Sequence, residues 1–240
     1  MLTLQKTEVE AHDTGKERLR KDNRQQRMRI AVGLNEFNEK DNLEITLPQL
    51  IGFDTVIAID GKYDAFDYPS DYSDDGTLEL LEQYDNGITL KLSTNQLEKR
   101  NAYLDIAREL GYDFLLVLDA DMDVKIDWEE FREQLLRLDD RYLAYNVEFH
   151  VSTQTWPFAL LYRPSRVEYH KIHHVLRCRR CHFEIDVTKQ HTDNVKGISI
   201  THRNSHRSKE WEVAKRDYQN WKLRWENDLR RERGMKEIIE

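Results

Sequence analysis

The stretch Phe114-Leu115-Leu116-Val117-Leu118-Asp119-Ala120-Asp121-Met122-Asp123 decides how the rest of the chain reads. Five consecutive apolar residues follow the Gly111 turn and end abruptly in carboxylates, the pattern of a strand buried on both faces with acids at its carboxyl edge. Open α/β sheets keep their ligands at that edge. Asp119 and Asp121 are two residues apart, so in an extended backbone both carboxylates face one side. Two hard oxygen ligands placed so can hold a divalent cation together with the phosphates of a substrate.

Upstream of this strand, residues 96–110 read as a helix with Leu97, Leu104 and Ala107 on its apolar side and Gly111 at its end. Before it come a strand over 88–92, a short helix over 77–84 stopped by Gly87, and a loop over 65–74 rich in Asp, Tyr and Ser. The β-branched run 55–59 is a strand that ends in the polar turn Asp60-Gly61-Lys62-Tyr63-Asp64. The first strand, 30–34, leads through Asn35-Glu36 into a helix carrying Leu43, Leu47 and Leu50, and downstream Trp128, Phe131, Leu135 and Leu138 mark one more helix. Strand and helix thus alternate over residues 30–138, predicting an α/β fold with a largely parallel, helix-covered sheet of nucleotide-binding type.

Beyond residue 138 the strand-like runs 142–151, 159–162, 172–176, 183–187 and 198–201 have few helical stretches between them, predicting mixed or antiparallel pairing. The ends of the chain read differently again. Residues 1–27 form a charged arm without apolar periodicity. Residues 209–240 contain a long charged helix whose Trp211, Ala214, Tyr218, Trp221 and Trp225 make a single seam. That seam suits packing on the domain, with a homodimer contact or a peripheral membrane contact as the alternatives.

With 240 residues and 39% hydrophobic content, the chain can bury a large core. It has no run of eighteen apolar residues and no hydrophobic core in its polar N-terminus, so the expectation is a soluble, unsecreted, cytoplasmic protein. The net charge of −8 is uneven: residues 163–240 carry +7 and the first 162 carry −15. A basic last third suits a diphosphate, a phospholipid surface or a nucleic acid, although charged helices show the same bias for solubility alone.

Four motifs in this order resemble the GT-A fold nucleotide-diphospho-sugar glycosyltransferases, in particular the inverting family-2 group. They are Ile30-Ala31-Val32-Gly33-Leu34-Asn35-Glu36; Asp60-Gly61-Lys62-Tyr63-Asp64; Leu97-Glu98-Lys99-Arg100-Asn101 followed by Leu118-Asp119-Ala120-Asp121; and Ile198-Ser199-Ile200-Thr201-His202 with Arg203 and Arg207 after it. The resemblance covers about residues 28–225, and implies a nucleotide-sugar-binding half over 28–138 and an acceptor-side half of the same domain over 139–208. It implies a nucleotide-diphosphate sugar as donor and Mn2+ or Mg2+ as cofactor, acting as Lewis acid on the departing diphosphate. Asp121 would ligate the metal and His202 would join it, while Asp119 would hold the ribose or the metal's waters. Lys99 and Arg100 would meet phosphate oxygens, and Asn35, Glu36 and Asp60 would grip the nucleoside.

Inversion also requires a general base beside the acceptor hydroxyl. No Glu-Asp pair follows the Asp-x-Asp strand at the family's usual place. Glu168, His170, His173, His174 and Asp186 lie where a base could come from, and Asp186 and His174 are the candidates chosen. Lys62 standing where the family has Ser is a second departure, bearing on nucleoside recognition. The acceptor is open among a glycan, a lipid-linked sugar and a nucleic acid.

Other patterns compete. Asp119-x-Asp121-x-Asp123 with Ile126, Asp127 and Glu130 fits most of an EF-hand loop, but Val124 stands where its turn requires Gly. Cys178-Arg179-Arg180-Cys181-His182 matches a haem-attachment motif, and the same thiols with His173, His174 or His182 make half of a structural zinc site. The rival functions are a nucleotidyltransferase, which would release pyrophosphate, and a non-catalytic calcium- or nucleic-acid-binding protein.

Overall fold

The computed structural model describes residues 28–64, 66–171, 175–186 and 193–203. The charged arm over 1–27, His173, His174, Arg207 and the charged helix over 209–240 lie outside the described residues.

Strand β1 (Ile30–Glu36) runs into helix α1 (Lys40–Thr46) and a tight 3-10 turn (Leu47–Leu50) that Pro48 opens. Next come β2 (Thr55–Asp60), α2 (Thr77–Glu82), β3 (Gly87–Lys91) and α3 (Gln96–Glu109). Asn95 starts α3 by accepting the Glu98 N–H at 3.0 Å, satisfying one of the helix's otherwise orphaned donors. The acidic strand is β4 (Phe114–Leu118), and every one of its residues is buried. Phe114, Leu116 and Leu118 face the core under α1, while Leu115 and Val117 face the second core under α3. That two-sided burial is the reason for the uninterrupted apolar run.

Strand β5 (Met122–Ile126) follows β4 after only three residues, ahead of α4 (Trp128–Arg137). No strand is expected there from the sequence. Met122 and Val124 point inward on alternate positions, but Asp123 and Lys125 between them leave too short an apolar signal. The remaining strands are β6 (Ala144–Val151), β7 (Gln154–Tyr162), β8 (Val167–Lys171), β9 (Val175–Cys178), β10 (Glu184–Asp186) and β11 (Asp193–His202). Here too the sequence reading is incomplete: of the expected strand over 172–176, residues 175 and 176 open β9 and the rest lie outside the described residues, while β8 is not expected from the sequence. The inward alternation of β8 rests on only two apolar residues, Val167 and Tyr169.

Eight strands form one sheet in the order β3-β2-β1-β4-β7-β6-β11-β5. The first four are mutually parallel, and β7 and β5 run against their neighbours, so the mixed pairing of the second half is present. β4 and β5 are four places apart in this order, about 19 Å across a flat sheet, yet the link between them reaches about 14 Å at most. The sheet therefore curls, bringing β5 and β11 back to the carboxyl end of β4. This is the GT-A-like α/β architecture. The three-stranded antiparallel sheet β10-β9-β8 packs through Val167, Tyr169 and Leu176 on Tyr103, Leu104 and Ala107 of α3. Among the described residues no helix is long and apolar enough to cross a membrane.

Candidate active site

Parallel register places the ends of three strands side by side. Glu36 pairs with Asp60, and Leu34 pairs with Leu118 one residue before Asp119. On the other flank His202, the last residue of β11, pairs with Met122 next to Asp121. The curl of the sheet thus joins an early and a late part of the chain at one edge.

Glu36 and Asp60 are almost wholly buried, as is Lys99. The Lys99 ammonium donates to the carbonyls of Glu36, at 3.3 Å, and Gly61, and lies 4.9 Å over the Tyr63 ring. Gly61 has φ +144°, and a Cβ there would sit 2.7 Å from the Leu92 carbonyl, so only glycine lets the chain turn so close to β3. Burial, reinforced by Glu39, Asp119 and Asp121, holds Glu36 well above the usual carboxylate range, with Lys99 pulling the other way. Burial also raises Asp60, against the Ser73 hydroxyl and N–H, which bond its two oxygens at 2.5 and 3.1 Å. Burial drives Lys99 down to about 7, although Asp60 and Glu36 oppose the shift. The edge is a low-dielectric floor in which one proton more or less matters.

Asp121 is 2% exposed, and its Oδ2 lies 3.4 Å from His202 Nε2. Asp119 is half-buried beside it. Arg203 fastens this turn in place. Its backbone N–H donates to the Asp121 carbonyl at 2.8 Å, Nη1 donates to Asp123 Oδ1 at 2.5 Å, and Nη2 reaches Thr46 Oγ1 and the Ala120 carbonyl, both at 2.7 Å. Thr46, fully buried on α1, donates its own proton to the Ala120 carbonyl at 2.6 Å. Gln49 takes the Val124 N–H at 2.7 Å and gives an amide proton to Asp123 at 2.9 Å.

These contacts rule on the EF-hand reading. Asp123 is occupied by Gln49 and Arg203, Asp127 accepts the Glu129 and Glu130 N–H groups as the cap of α4, and the entering segment is β4 instead of a helix. Among the described residues no three His, Cys, Asp or Glu side chains converge as a closed cation site. Asp121 and His202 are an oxygen and an imidazole that fit two positions of a divalent ion's shell.

Arg100, 8% exposed, meets the Tyr169 hydroxyl at 3.4 Å. Asn101 clamps the backbone of the same tyrosine, donating to its carbonyl at 2.9 Å and accepting its N–H at 2.7 Å. Asn35 donates to the Tyr63 hydroxyl at 2.8 Å. Five buried polar atoms at this edge have no partner among the described residues: Asn35 Oδ1, Glu36 Oε1, Arg100 Nε, His202 Nδ1 and Arg203 Nε. Asp186 ends β10 in the three-stranded sheet, and His174 is outside the described residues. The sequence reading names Arg203 but not its work, and misses Thr46, Gln49, Ser73 and Tyr169. Nothing local marks these, since their partners lie far along the chain.

No family model matches the sequence, and no curated protein matches it. Solved structures similar to the chain include S. aureus TarS, at 20% identity over 53% of this chain and 22% of that one, with a TM-score of 0.38. Residues 1-349 of TarS in complex with UDP-GlcNAc align at 21% identity over 52% of this chain and 36% of that one, with a TM-score of 0.37. Mannose-1-phosphate geranyltransferase from Thermus thermophilus aligns at 15% identity over 73% and 58%, with a TM-score of 0.35. The chain therefore spans between about a fifth and three fifths of these proteins, and its function is argued from its own residues.

Proposed function

We propose that this chain is a metal-dependent glycosyltransferase that moves a sugar, with inversion, from a nucleotide-diphosphate donor to an acceptor hydroxyl. The observation that supports the reading is the meeting, at one sheet edge, of Glu36 and Asp60 from early strands and Asp121 from the turn after β4 with His202 of β11, around buried polar atoms that lack partners among the described residues. Asp121 and His202 would hold Mn2+ or Mg2+, with Asp119 turned to its waters or to the ribose. When bound, the metal supplies Lewis-acid stabilisation of the leaving diphosphate.

The chain's own groups do the rest. Asn35 Oδ1 and Glu36 Oε1 offer buried hydrogen-bonding positions to the nucleoside. Lys99 ties the ends of β1 and β2 together through the Glu36 and Gly61 carbonyls and so keeps the floor of the site rigid. Arg100 Nε offers one more donor, suited to a phosphate oxygen. Asp186 and His174 are the proposed bases for the acceptor, and Asp186→Asn and His174→Gln should separate them in single-turnover transfer.

Thermal unfolding tests the reading with manganese alone, calcium alone, and manganese with UDP, GDP, CDP or dTDP. A midpoint shift that needs both manganese and one particular nucleotide supports it and names the donor base. A shift with calcium alone and none with any nucleotide overturns it. Release of nucleoside diphosphate during turnover, with no pyrophosphate, separates this activity from nucleotidyl transfer.

A further inference from the structure

We propose that Cys178 and Cys181 form a dithiol site that closes to an intramolecular disulfide by exchange with a low-molecular-weight disulfide. Cys178 ends β9, and Cys181 sits in the turn to β10. The His182 N–H donates to the Cys178 carbonyl at 2.9 Å, and the Cys178 N–H donates to the Phe183 carbonyl at 2.9 Å. The first of these bonds spans four residues and winds 178–182 into one helical turn, where side chains three apart sit next to each other. His182 closes the turn with φ +57°.

Backbone N–H groups of the turn, that of Cys181 foremost, hold the Cys178 thiol below its ordinary pKa, with Arg166 helping by charge. Cys178 is buried and Cys181 exposed, which divides their roles. No described residue completes a metal shell around the pair, so its own two-electron couple is the chemistry it offers.

The exposed Cys181 thiolate attacks the small disulfide, forming a mixed disulfide and releasing one small thiol. The Cys178 thiolate, three residues away in the same turn, then attacks Cys181 Sγ, and the second small thiol leaves. The protein loses two electrons and two protons, and the small disulfide takes them up as two thiols. The site matters to the rest of the molecule because Cys178 pairs with Val167 of β8, the strand that carries Tyr169 against Arg100 and Asn101.

The test uses the full chain, whose only two cysteines make the readout direct. The protein is equilibrated with mixtures of reduced and oxidised glutathione, alkylated under denaturing conditions and weighed intact. The expected product in excess oxidised glutathione is a monomer with no alkylated cysteine and no bound glutathione, while Cys178→Ser stops at a single glutathione adduct. Wild-type protein that keeps both thiols alkylatable, or that stops at the adduct, overturns the proposal.

Discussion

At the amino ends of the parallel strands, Asp54 accepts the Ile30 N–H at 2.6 Å, Asp113 accepts the Arg29 N–H at 2.9 Å, and the Tyr112 hydroxyl reaches Thr55 Oγ1 at 2.5 Å. At the carboxyl ends of those same strands, Asn35 Oδ1 and Glu36 Oε1 are buried with no partner among the described residues. The neighbouring Lys99 is buried against its own charge, and Glu36 likewise. An unsatisfied buried polar group costs about 1–3 kcal/mol, and the same secondary structure avoids that cost at its other end. The difference teaches where the molecule trades stability for readiness to bind.

The sharpest way to break this contrast is at Asp121. Asp121→Ala should lower sugar transfer by on the order of 10^3-fold or more, the loss of several kcal/mol of transition-state stabilisation, while the unfolding midpoint stays close to wild type. Retained transfer would remove the metal-diphosphate argument. Asp54→Ala probes the opposite end, leaving the buried Ile30 N–H without its acceptor. It should cost about 1–3 kcal/mol, read as a midpoint lowered by several degrees, with nucleotide affinity unchanged. An equal loss of nucleotide affinity would show that the two ends are not separable.

The smallest effect is in pH dependence. The Lys99 pKa falls from 10.5 in the unfolded chain to about 7 in the folded one, so between those values the unfolded chain holds a proton that the native state lacks. Its contribution to stability is therefore full above 10.5 and lost as pH falls to 7. Measured from pH 7 to 9, wild-type stability should rise relative to Lys99→Met by up to about 1.4 kcal/mol per pH unit. A flat or falling difference would mean that Lys99 keeps an ordinary pKa despite its burial.

Much of this edge was legible from residue order alone. β4 announces itself because both of its faces are buried, and Asn35, Glu36 and Asp60 follow because parallel strands end on one side. What holds the edge together was not legible. Arg203 reaches the Asn42 carbonyl across 161 positions and Asp123 across 80, and Gln49 reaches Asp123 across 74; such contacts leave no periodicity behind. The EF-hand likeness is the reverse case, a strong local pattern whose acids were already committed to distant partners. The Tyr169 clamp on Asn101 was hidden for the same reason, on a strand with only two inward apolar residues.

The place of β11 in the sheet, between β6 and β5, carries a consequence for the order of assembly. Among the described residues β5 has no other neighbour in the sheet, and the turn bearing Asp121 depends on Arg203, which follows β11 directly. A chain emerging in sequence order can pair β1 with β2 and β4 early, but its acidic edge stays unfinished until residues near 200 have docked. Closing so wide a loop is slow compared with forming the local units. A chain whose residues near 200 have not docked therefore presents its acids without the grip of Arg203 on the turn that carries them.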